Sequence, residues 1–192
     1  MTAITQATDF LTTTTKAPVA STVVEELLIA EKNTKQQKIR YTYNQLLGTW
    51  RLGFITGTKK SQKRAGVILK AGRFLPAIVK IQLTYQQSEA NSEQGQVKNS
   101  VQVGLLQLVL TGPTQFWQNN ILAFDFTQMQ ITLAGLKLYS GYIRGGQKRE
   151  EDFYQQKLKD QAFFNYFLVE DDYIAARGKG GGLALWTKVK SS

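Results

Sequence analysis

At 192 residues the chain is sized for one domain, and its 42% hydrophobic residues are enough to build a core. It contains neither cysteine nor histidine, which excludes disulfides, thiolate nucleophiles, cysteine metal sites and the commonest general base. The net charge is +10, and Lys32, Lys35, Lys38, Arg40, Arg51, Lys59, Lys60, Lys63, Arg64, Lys70, Arg73 and Lys80 follow one another without an intervening acid. A one-sign stretch of this length favours an anionic partner.

In chain order, residues 1–20 are hydroxyl-rich and Pro18 closes them off, so a disordered tail is expected. They lack the early positive charge and the apolar region of a secretory signal. With cysteine absent, a reducing compartment is expected. One domain over 21–190 follows. It opens with a helix over 22–44, where Thr22 and Glu25 have capping-box spacing and Val24, Leu27 and Leu28 begin an apolar stripe.

From Leu46 the pattern changes to short β-branched and aromatic runs separated by turn residues. Strands are expected near 47–56, 64–71, 74–86, 97–110, 121–126, 129–133, 136–144, 163–169, 172–178 and 183–189. Val79, Ile81, Leu83 and Tyr85 alternate with polar neighbours, and Leu122, Phe124 and Phe126 share another face. A second helix is expected over 149–160, acids first and lysines last. The longest apolar run, 103–110, has strand length, well short of the roughly 20 residues of a spanning helix.

Successive strands with short connections predict a mainly β, antiparallel fold. Closing the sheet into a barrel would remove its edges, and a two-sheet sandwich satisfies the same pattern. A barrel of about eight strands is either filled by side chains or holds one small ligand.

Two segments carry a resemblance. Gly48-Thr49-Trp50-Arg51-Leu52 opens the first strand after a helix, and Arg177-Gly178 precedes a polar turn and the final apolar strand Leu183–Trp186. In this order and at these ends they resemble the plastid lipid-associated protein, or fibrillin, family, whose Gly-x-Trp opening is shared with the calycins. One departure is that family members often carry an acid after Arg-Gly, where this chain has Lys179. The resemblance implies a lipocalin-like (calycin-type) β-barrel with an N-terminal α-helix. It implies a lipid-binding protein, cytoplasmic or stromal, peripherally associated with thylakoid membranes in a photosynthetic cell of cyanobacterial or plastid type.

On that reading Trp50, Leu52, Phe54, Val79, Ile81, Leu83, Phe124 and Phe126 line a pocket for an apolar lipid or isoprenoid, such as a carotenoid or quinone. Lys59, Lys60, Lys63 and Arg64 would meet an anionic membrane surface. Since the first and last strands of a closed barrel meet, Arg177 is expected to cover the Trp50 indole in a cation–π contact. The alternative is a scaffold or assembly factor with a filled barrel that contacts an acidic photosynthetic protein.

No catalytic residue, metal site or cofactor is expected. No serine has a histidine partner, and Glu150, Glu151, Asp152 and Glu170, Asp171, Asp172 read as helix starts and polar turns. The glycines at 145–146 and 180–182 do not lie between a strand and a helix as a phosphate loop requires. Nucleic acid is not an expected partner, because no RNA-recognition signature accompanies the basic run.

Overall fold

The computed structural model describes residues 2–13, 15–57, 72–143 and 145–190. Among the described residues, eleven strands form one antiparallel sheet: β1 (Gly48–Ile55), β2 (Arg73–Phe74), β3 (Val79–Gln87), β4 (Gln94–Val103), β5 (Leu106–Trp117), β6 (Ile121–Phe124), β7 (Gln128–Leu133), β8 (Leu136–Tyr142), β9 (Ala162–Val169), β10 (Tyr173–Gly178) and β11 (Leu183–Lys188). Eight of them close into a barrel in the order β4-β3-β1-β11-β10-β9-β6-β5, sealed by the β4–β5 pairing. The first and last of these strands meet directly, Leu52 opposite Trp186.

The barrel is complete at one end and open at the other because β5 changes partner along its length. Its last residues, Thr114–Trp117, pair with β6, which pairs in turn with β9 and carries the closure. Its first residues, Leu106–Thr111, pair with β7, whose other neighbour is the edge strand β8. The break between β6 and β7 falls at Asp125–Thr127, where Gly112 lets the chains approach: a Cβ there would lie 2.2 Å from the Asp125 carbonyl oxygen. Beyond this break the barrel wall continues as an open flap. Helix α4 (Gly146–Asp152) braces the break, with the Thr127 hydroxyl donating to Glu150 over 2.7 Å and Arg149 pairing with Asp125 at 2.7 Å.

Within the segment expected to be a disordered tail, Ala3–Thr12 are ordered. They form helix α1, with Ala3, Ile4 and Ala7 buried and Phe10 edge-on to Phe74. The apolar positions Ile4, Ala7 and Leu11 have helical spacing within a threonine-rich stretch. Its first turn is capped by the Thr2 hydroxyl and by Glu26, whose carboxylate accepts from the Ala3 and Ile4 N–H groups over 2.7 and 2.8 Å.

The long helix α2 runs Ala20–Gln36, so the expected 22–44 helix stops eight residues early, at a Lys38 held at φ +53°. Its cap position is Val19 and not Thr22, and its Glu26 does a cap's work for the neighbouring helix α1. Val23 and Leu27 are fully buried, and the Thr34 hydroxyl donates to the Phe167 carbonyl over 2.6 Å. Together α1 and α2 cover the outer face of β1, β11, β10 and β9, burying Phe54, Phe167, Ala175, Leu183 and Leu185 in a core outside the barrel. A short helix α3 (Tyr43–Leu46) closes the end of the barrel where β1 begins.

Candidate ligand-binding site in the barrel mouth

Trp50, Tyr85, Tyr166 and Trp186 lie in the closed half, together with Leu46, Leu122 and Ile174. Tyr43 enters from α3, stacks on Phe116 at 6.0 Å and bonds the Thr114 hydroxyl at 2.5 Å. The Tyr85 and Tyr166 hydroxyls pair at 2.8 Å, and the Trp50 indole N–H donates to the Leu46 carbonyl over 2.7 Å. Burial pushes the Tyr43 phenol up to about 12 and drives Tyr85 and Tyr166 well above the usual tyrosine value. The closed half is therefore filled.

The open half differs. Leu52, Ile55, Phe124, Phe126 and Phe164 pack on this core but are only partly buried. Phe124 lies 5.4 Å from Phe126 and stacks on Phe164 at 5.0 Å. The register then carries the same inner face onto the flap. Ile81 sits opposite Val101, Val101 opposite Leu108, Leu108 opposite Ile131 and Ile131 opposite Tyr139. One rung further out, Val79, Val103, Leu106, Leu133 and Leu136 are paired in series. The reverse face carries Lys80, Gln102, Gln107, Thr132 and Lys137 in the matching series. The flap is thus amphipathic by alternation, interrupted by a register shift between Ile131 and Thr132 that leaves Leu138 unpaired, with its apolar side continuous with the barrel interior. Its tips expose Leu105 (73%), Leu136 (72%) and Leu138 (60%).

Seven of the eight residues expected to line a pocket face this interior. Trp50 and Leu83 form its buried floor, and Leu52, Val79, Ile81, Phe124 and Phe126 line the half-exposed part. Phe54 does not. A bulge at Gly53 places Phe54 opposite Leu185 and Ile55 opposite Ala184, so the alternation slips by one and Phe54 turns outward to the helices. The slip was invisible to a reading that carried one period through the strand, and it brings Ile55 inward instead.

The expected Arg177–Trp50 contact is also corrected. Arg177 is on the outer face of β10, where its guanidinium donates to both oxygens of Glu31 on α2 and to the Gly181 carbonyl. The bond to Glu31 raises its pKa above the usual arginine value. Lys188 takes the place over Trp50, its ammonium 4.0 Å from the ring centroid and 2.6 Å from the Leu47 carbonyl oxygen; burial lowers its pKa. Lys59, Lys60, Lys63 and Arg64, and the expected strand 64–71, lie outside the described residues.

On the outer surface a crevice of about 370 Å3 lies between the end of α2 and the β9 side, bordered by Lys35, Lys38, Arg40, Asn120 and Asn165. Among the described residues no helix is long and apolar enough to cross a membrane, a statement that does not extend to strands. No protein-family model matches the chain, and no curated protein matches its sequence.

Proposed function

We propose that this protein is a non-catalytic carrier of an apolar isoprenoid-type lipid, a carotenoid, quinone or related molecule. The lipid sits in the open half of the barrel, and the protein associates peripherally with a photosynthetic membrane. The observation that carries the reading is the largely apolar inner face, broken by Asn99, that runs from a filled barrel floor onto an uncovered flap. Monomeric soluble proteins rarely expose a contiguous apolar patch of this kind without a partner for it. A long apolar chain lying from Phe124 and Leu52 out along Ile81, Val101, Leu108 and Ile131 would remove that face from water. The return is about 25 cal/mol per Å2 before association costs.

The exposed Leu105, Leu136 and Leu138 at the flap tips are suited to contact the acyl boundary of a bilayer. The basic run of the sequence, Lys59, Lys60, Lys63 and Arg64, supplies the charge for an anionic surface, at about 1 kcal/mol per charge. The photosynthetic setting rests on the resemblance of the Gly48–Leu52 and Arg177–Trp186 segments. A second reading is favoured by the tightly filled closed half: an assembly factor whose barrel is a scaffold for an acidic photosynthetic protein, attracted by the net charge of +10.

Native mass spectrometry and organic extraction of the protein purified from the cells that make it separate the two. A stoichiometric carotenoid, quinone or prenyl lipid is the expected result. An empty protein that also takes up no such lipid from micelles would sink the carrier reading and leave the scaffold.

A further inference from the structure

Two tryptophans stand in the barrel interior, and their indole N–H groups have different fates. That of Trp50 donates to the Leu46 carbonyl. That of Trp186 is fully buried, the residue only 2% exposed, and has no hydrogen-bond partner. Buried indole N–H groups usually find an acceptor, and leaving one unmade costs the donor its solvation.

Its position is as informative as its isolation. Trp186 is paired with Leu52 across β1 and with Ile174 across β10. Its ring meets Phe164 edge-on at 5.4 Å, and Phe164 stacks on Phe124. Leu52, Phe164 and Phe124 are the partly buried residues where the mouth meets the filled floor. Asn99 Oδ1, on β4 opposite Leu83 and Leu110, is a buried acceptor without a partner.

We infer that the Trp186 indole N–H is the polar anchor of the mouth, and that the ligand is an isoprenoid lipid whose buried end carries a carbonyl oxygen of the ketone or quinone kind. An indole N–H can only donate, so its partner must be an acceptor, and a carbonyl accepts without bringing a hydroxyl proton that would itself need a partner in an apolar mouth. The lipid enters carbonyl first and its chain leaves along the flap. The inference rests on the carrier reading above and specifies which member of that ligand class the site selects.

The test uses the full chain and two pigments of one carbon skeleton, canthaxanthin, which has terminal ketones, and β-carotene, which has none, offered in mixed micelles. The wild type is expected to bind canthaxanthin about 5-fold tighter, the scale of one hydrogen bond. Trp186→Phe, which keeps an aromatic ring and removes the N–H, is expected to erase that preference, so that the variant binds canthaxanthin and β-carotene equally. A second measurement needs no variant and stands if Trp186→Phe does not fold: in the resonance Raman spectrum of canthaxanthin bound to the wild type, the carbonyl stretch is expected below its position in hexane. Equal binding of the two pigments by the wild type, a preference that survives Trp186→Phe, or an unshifted stretch would overturn the anchor and leave the carrier reading standing. Failure of the wild type to bind either pigment would overturn both.

Discussion

Lys188 holds its ammonium 4.0 Å above the Trp50 ring, and Arg177, two strands from Trp50, is bound instead to Glu31 on the opposite face of the wall. The two cations divide between the barrel's inside and outside by parity. Lys188 is in register with Trp50 and so shares its inward face. Arg177 is in register with Leu183 and Asn165, out of phase with the inward Ala176 and Ala184. A double-mutant cycle on Lys188→Met and Trp50→Phe is therefore expected to give a coupling of about 0.5–1 kcal/mol in urea unfolding. The same cycle on Arg177→Met and Trp50→Phe is expected to give none, and coupling there would return the contact to Arg177.

How much of this the sequence made legible depended on whether one period ran through an element. The β3 alternation of Val79, Ile81, Leu83 and Tyr85 is unbroken in the structure, so those residues could be assigned to one face correctly. In β1 the Gly53 bulge breaks the period, and Phe54 was assigned to the wrong side. The partner switch of β5 left no local signal, and the expected strand 97–110 ran together the end of β4 and the start of β5, which a turn at Gly104 separates. The unmet Trp186 N–H depends on what surrounds the ring, which no single segment encodes.

The docked α1 makes a prediction at Gly53. The Leu11 side chain lies against this glycine so closely that a Cβ would be 2.1 Å from its Cδ1. Gly53→Val is expected to push α1 off the barrel, and deletion of residues 2–13 to cost about 2–4 kcal/mol, the scale of exposing one or two core side chains. Limited proteolysis reads the difference: the wild-type segment should resist cleavage and the Gly53→Val segment should not. Equal, rapid cleavage of both would mean that α1 does not stay docked.

The three interior tyrosines set an alkaline limit on stability. Each is raised chiefly by burial, Tyr43 to about 12 and Tyr85 and Tyr166 beyond the usual value of 10. Above pH 10 the unfolded chain loses phenolic protons that the folded barrel keeps. The stabilisation is thus complete below pH 10 and is lost as pH rises through the folded-state values. Lys188 acts in the opposite sense, since burial lowers its pKa and folding then gains as pH approaches 10.5, but it is one group against three. Urea midpoints are expected to fall steeply above pH 10, together with a late, cooperative rise in tyrosinate absorbance. Tyrosinate appearing gradually from pH 9 to 11, with no loss of fold, would show the interior open to solvent.

The Tyr85–Tyr166 pair separates a structural hydrogen bond from mere filling. Tyr166→Phe leaves the Tyr85 hydroxyl buried without its 2.8 Å partner and is expected to cost about 1–3 kcal/mol. Replacing both by Phe removes both hydroxyls from the interior and keeps both rings, that of Tyr166 against Trp186 and Phe164 and that of Tyr85 against Tyr43. The double variant is therefore expected to be less destabilised than the sum of the single ones, as measured by urea unfolding. Strict additivity would mean that the two hydroxyls do not depend on each other.

Membrane association should divide into an apolar part and a charged part that respond to different reagents. Leu105, Leu136 and Leu138 are exposed at the flap tips, so changing all three to Ser leaves the fold's stability within about 0.5 kcal/mol. Under the proposed function the triple variant should bind vesicles of anionic lipid several-fold more weakly at every salt concentration, because the lost term is apolar burial. Replacing Lys59, Lys60, Lys63 and Arg64 by Gln should weaken binding at low salt and matter little at high salt, where screening has already reduced the charge term. Vesicle binding that ignored both sets of changes would take the membrane out of the proposal. The mouth and its flap would then face a protein partner, since an apolar face continuous with the barrel interior still needs cover from water.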